Sequence, residues 1–294
     1  MRKQNFNFLD HYTYFVPNIP ELLILLLWFI VGAVLGNVVS AIFIFALGAE
    51  TGLTAGLVVA YPVMFIPPMI YASSRSRSRC LNQTGVKLDS PGFGTVGPGL
   101  CAVLAAVGVL ALSFVADGIS SLLPDMPDSL KKMLESMVNG NFFVNFLCVS
   151  IFAPIFEEWL CRGMVLRGLL GNGAKPVWAI IISAVFFAVI HLNPWQAIPA
   201  FLLGCLFGFI YYKTGSLKLT MLMHFVNNTF ALVASRIPAL EDMDNWMDVL
   251  AKPEYCIVMT CCVIVTALVV LKFSSIKVSG PKGNLEEVPS LFEQ

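Results

Sequence analysis

Eight long apolar runs divide this chain, at residues 22–47, 53–72, 98–123, 142–169, 175–193, 196–212, 216–235 and 254–272. A helix rises about 1.5 Å per residue, so roughly 20 residues cross a hydrocarbon layer of ~30 Å. The runs therefore predict an all-α fold, a polytopic bundle of about eight transmembrane helices. Composition excludes the soluble alternative: 57% of residues are hydrophobic and the mean hydropathy is +0.81, well above globular norms. The lipid bilayer is thus an expected partner. A formal net charge of zero gives no footprint for nucleic acid, and none is expected as a partner.

Between the third and fourth runs, "DMPDSLKKMLESMVNG" carries apolar residues at Leu130, Met133, Leu134 and Met137, the spacing of an interfacial amphipathic helix. The tail after Lys272 mixes Gly, Pro and charge and reads as disordered. Three segments follow: 1–141 with the first helices and this linker, 142–235, and 236–294 with an outer loop, the last helix and the tail. Lys and Arg set the orientation, because cytoplasmic loops accumulate them. Both termini and the loops on their side hold 14, against Lys131, Lys132, Arg236 and Lys252 on the other. Both termini are expected in the cytoplasm, and in a bacterium the protein would lie in the cell membrane. No small-residue cleavage site precedes the first run, so no removed signal peptide is expected. Most of the eight cysteines fall inside apolar runs and none forms a CxxC pair, which favours small buried apolar residues over disulfides or structural zinc.

Charged groups in hydrocarbon are costly and mark function. "FEEWLCRG", residues 156–163, places Glu157, Glu158 and Arg162 inside the fourth run. Arg162 alone could snorkel to headgroups; two adjacent carboxylates cannot. Glu158 and Arg162 are four apart and share a helix face, whereas Glu157 points about 100° away. That leaves Glu157 free for general acid or base work. Pro154 loosens the helix beside it. Three histidines occur. His11 lies in the polar N-terminal stretch, where an incidental surface role is expected. His191 in "FFAVIHL" follows Phe187 by four, and His224 in "MHFVNN" precedes Asn228 by four, so each pair shares a face. Asn227 does not fall on the His224 face. A carboxylate and an imidazole can deprotonate water, while a second imidazole and an amide can donate to a developing oxyanion. Neither a serine nucleophile with its base nor an HExxH zinc signature is present.

"EEWLCR", "FAVIH" and "HFVNN" fit EExxxR, FxxxH and HxxxN, in that order on successive apolar segments. In this the chain resembles the CAAX protease and bacteriocin-processing (CPBP, or Abi) family over residues 142–235. The resemblance implies a glutamate-dependent intramembrane endopeptidase acting on a peptide or protein substrate at the membrane. It makes Glu157 the base that activates water with His191, and His224 with Asn228 the oxyanion site. Glu158 and Arg162 become supporting residues. It also favours a site with no metal and no cofactor, although two His and a Glu are a possible zinc donor set.

Two other function classes fit the same residues. Some relatives confer immunity by sequestering a peptide, which would make this a non-proteolytic binding protein. Intramembrane Glu and His also build proton relays, as in a proton-coupled transporter, but no internal symmetry of the transporter kind is visible. "GCLFG", Gly204 to Gly208, suits close helix packing within the chain. One tension remains in upright helices. His191 lies toward the outer end of its run, roughly 15 Å from the level of Glu157.

Overall fold

A computed structural model describes residues 8–131, 140–237, 240 and 246–278. Among these residues every regular element is helical and no strand occurs. Eight apolar helices follow one another: α1 (Ile19–Leu47), α2 (Ala49–Arg79), α3 (Pro98–Ser120), α4 (Phe142–Gly171), α5 (Pro176–Val189), α6 (Pro194–Thr214), α7 (Leu217–Ala234) and α8 (Lys252–Ser274). Six of them, α1 to α4, α6 and α8, are long and apolar enough to cross a membrane, which makes this an integral membrane protein. Six of the eight expected spans meet these criteria among the described residues. With 14 residues, α5 spans only about 21 Å. The polar side chains of α7 (Lys218, His224, Asn227, Asn228) interrupt its apolar run. Of the expected amphipathic helix only the first turn, ending at Lys131, is described. Met133, Leu134 and Met137 lie outside the described residues, as do the tail residues 279–294.

Local chemistry sets the ends of these helices. Asn18 caps α1, its side chain accepting from the Glu21 amide at 3.1 Å while Glu21 accepts back from the Asn18 amide at 3.3 Å. Glu21 then pairs with Arg75, at 3.1 Å, and with Arg79, which ties the start of α1 to the end of α2. The two helices pack backbone to backbone. A Cβ at Gly32 would overlap the Met64 carbonyl, and one at Gly36 would come within 3.0 Å of the Ala60 carbonyl oxygen. Between α6 and α7 the chain turns on Gly215, at φ +63°, and Ser216 caps α7 by accepting from the Leu219 amide.

The centre of the bundle is α4. Every residue from Glu158 to Leu170 is buried. Its path is not uniformly α: Phe146–Phe152 and Trp159–Leu166 are π-helical, on either side of the α-helical stretch Ala153–Glu158. Gly204 and Gly208 set α6 against α5, where a Cβ would lie 3.1 Å from Ala184 and 3.2 Å from Ile180. "GCLFG" therefore serves packing within the chain. The cysteines are all free, and Cys101, Cys148 and Cys161 are buried as expected. Cys80, Cys256 and Cys261 are exposed instead, the last two on the outer face of α8.

Candidate active site

The expected pair on α4 is present. Arg162 Nη1 donates to Glu158 Oε1 at 2.8 Å, and both side chains are fully buried. Arg162 Nη2 donates to the Gly204 carbonyl at 2.8 Å. The guanidinium lies 4.8 Å from the Phe187 ring centroid and 5.2 Å from that of Phe207, a cation–π setting with little competition from water. So held, Arg162 neutralises Glu158 while α6 fixes its direction.

His224 reaches both glutamates. Its Nδ1 lies 3.2 Å from Glu158 Oε1, and its Nε2 lies 3.9 Å from Glu157 Oε2. A proton on Nδ1 facing Glu158 leaves Nε2 to face Glu157. Glu157 is not the free carboxylate that the spacing implied. Its Oε1 accepts from the Tyr61 hydroxyl of α2 at 2.5 Å, a partner no motif announced.

His191 lies just past the end of α5. Its Nδ1 is 2.7 Å from the Phe187 carbonyl oxygen, so a proton on Nδ1 leaves Nε2 as an acceptor. The Phe187 ring stands edge-on between the histidines, with centroids 5.0 Å from His191 and 5.5 Å from His224. Through this ring the end of α5 is packed beside His224 on α7. The turn that follows is strained. Leu192 has φ 57°, the left-handed region that favours glycine, and Asn193 then caps α6. Among the described residues no hydrogen bond or ion pair joins His191 to Glu157.

Asn228 faces another part of α4. Its Nδ2 donates to the Val149 carbonyl at 2.9 Å, and its Oδ1 accepts from Asn227 at 3.1 Å. The Val149 carbonyl is open for a simple reason. In the π-helical stretch each carbonyl is bonded by the amide five residues on, as Cys148 is by Ala153. For Val149 that position is Pro154, which has no N–H. The expected loosening by Pro154 thus takes a definite form, a carbonyl that Asn228 fills. Asn227 accepts in turn from Ser113 of α3. The structure therefore brings Glu157, Glu158, Arg162 and His224 into one contact network, sets His191 behind Phe187, and holds Asn228 against the same helix.

Among the described residues no cluster of three His, Cys, Asp or Glu side chains is arranged to hold a metal. Glu158 is already committed to Arg162 and His224. A cleft of about 520 Å³ is lined in part by Ser113, Asp117, Trp195 and Asn227, and Asn227 in turn bonds Asn228.

Residues 139–230 match the family model for type II CAAX prenyl endopeptidases, Rce1-like. A Bacillus subtilis (strain 168) protein named "Putative membrane peptidase YdiL" is 27% identical over 99 residues. The chain spans 38% of that relative's length, using 34% of its own. No solved structure matches. The family-model match covers the segment that holds Glu157, Glu158, Arg162, His191, His224 and Asn228, and both matches agree with the resemblance to the CPBP, or CAAX protease, family over about a third of the chain.

Proposed function

We propose that this protein is an intramembrane endopeptidase that hydrolyses a peptide bond with water activated by Glu157. The observation that carries this reading is the facing of Glu157 Oε2 and His224 Nε2 across 3.9 Å. A water about 2.8 Å from each atom would bridge them from one side. Glu157 takes the water's proton as its oxygen attacks the scissile carbonyl carbon, and returns that proton to the leaving amine as the C–N bond breaks. The family resemblance assigns His191 to water activation and His224 with Asn228 to the oxyanion. The contact between Glu157 and His224 supports giving His224 a part in holding the water as well; donation to the oxyanion then requires a proton on Nε2 too. The amide of Asn228, with one N–H on Val149, keeps a second for charge developing on substrate. No metal enters this mechanism. The bias of Lys and Arg supports cytoplasmic termini.

The substrate class is a peptide or protein at the membrane; a prenylated C-terminus is the first to try, given the family matched. The test is incubation of the purified protein, in vesicles, with peptides bearing hydrophobic or prenylated C-termini. Mass spectrometry then compares wild type with Glu157→Ala. Cleavage by wild type alone, insensitive to chelators, is the expected result. Equal cleavage by the variant would end the reading, and loss on chelation with rescue by zinc would replace its mechanism.

A further inference from the structure

Tyr61 lies 96 residues before Glu157, outside the segment that matches the family. It is the one side chain among the described residues that donates a hydrogen bond to Glu157. The bond divides the carboxylate: Oε1 is occupied by the tyrosine, and Oε2 is left facing His224. A glutamate side chain has several rotamers to lose, and the Tyr61 hydrogen bond selects among them. The phenol is itself clamped. Its ring stacks on Phe152 at 6.5 Å and tilts against Phe65 at 5.9 Å, while Phe65 stacks on Phe156 at 5.1 Å. Phe152 and Phe156 belong to the same helix as Glu157, so ring and carboxylate are held in one frame.

We propose that Tyr61 is a positioning residue for the reaction, its hydroxyl fixing the Glu157 carboxylate so that Oε2 is the oxygen presented to water. This rests on the reading of Glu157 as the base. Tyr61 keeps its own proton throughout. The water's proton moves to Oε2 and from there to the leaving amine, and Tyr61 never touches substrate.

The test is Tyr61→Phe, which keeps the ring and its stacking and removes only the hydroxyl. A misplacement of this kind costs about 10- to 100-fold in rate, so kcat should fall by that factor with KM and Tm unchanged. Infrared spectroscopy gives a readout independent of turnover. The carboxylate band lost in Glu157→Gln identifies Glu157, and that band should shift in Tyr61→Phe because a hydrogen bond to it is gone. A normal kcat, an unmoved band, or a loss of activity that only tracks lost folded protein would overturn the proposal. If Glu157→Gln is inactive while Tyr61→Phe is fully active, this inference alone fails. If Glu157→Gln retains turnover, the reading of the base falls and takes this one with it.

Discussion

Two arginines on α4, five residues apart, are both fully buried, and they are held in opposite ways. Arg162 has a carboxylate, a carbonyl and two aromatic rings. Arg167 has carbonyls alone. Its Nε donates to Gly163 at 2.7 Å, its Nη1 to Val86 at 2.6 Å, and its Nη2 to Tyr12 at 3.3 Å and to Phe15. The Arg162 region combines two glutamates and a histidine. The Arg167 donors meet backbone carbonyls, and the cation gathers the N-terminal segment, the loop after α2 and α4 into one knot. A buried charge thus marks chemistry when its partners titrate, and architecture when they are backbone.

The sharpest way to break this contrast is Glu157→Gln. A chemical role predicts a loss of turnover of 1000-fold or more, on the order of 4 kcal/mol, with an unchanged thermal midpoint. A melted protein would place Glu157 among the architectural groups. Glu158→Gln should do the reverse, stranding Arg162 and costing about 3–5 kcal/mol of stability, read as lower yield and thermal midpoint. If Glu158→Gln is stable but inert, the roles of the two glutamates are exchanged. Asn228→Ala should lower kcat by about 100- to 1000-fold with little change in KM, since an oxyanion donor acts in the transition state. A pure KM effect would restrict Asn228 to its bond with Val149. Arg167→Met should leave buried carbonyls unpaired, at about 1–3 kcal/mol each in the worst case, and lower the midpoint without altering kcat per folded molecule. The smallest effect is expected from Leu192→Gly. Leu192 is 90% exposed and strained, and relief of a left-handed backbone is worth about 1 kcal/mol, seen as a slightly raised midpoint.

The apolar runs made the membrane bundle legible, and i,i+4 spacing made the Glu158–Arg162 pair legible. Other features escaped for physical reasons. The run 175–193 continues apolar through the turn at Ile190 and His191, so nothing in composition showed that α5 ends early. Side-chain faces were assigned in α-helical phase, yet the two π-helical stretches of α4 shift that phase on either side of Glu157. Tyr61 looks like any aromatic in an apolar run. Only the fold brings α2 onto α4, and so only the fold shows that Glu157 has a partner. His224 was legible as a candidate, but not as the link between both glutamates, because spacing within one helix says nothing about contacts to another.

The close approach of α1 and α2 has a consequence for genetics. Gly32 touches no reacting group, yet any side chain there must push against the Met64 carbonyl, three residues from Tyr61 on the same helix. A screen for inactive variants should therefore recover Gly32 substitutions alongside those at Glu157, with the protein still inserted. Read by position alone, such alleles would suggest a second functional centre in the first hairpin. Their origin would be leverage, a backbone displaced on one side of α2 and a carboxylate left unheld on the other.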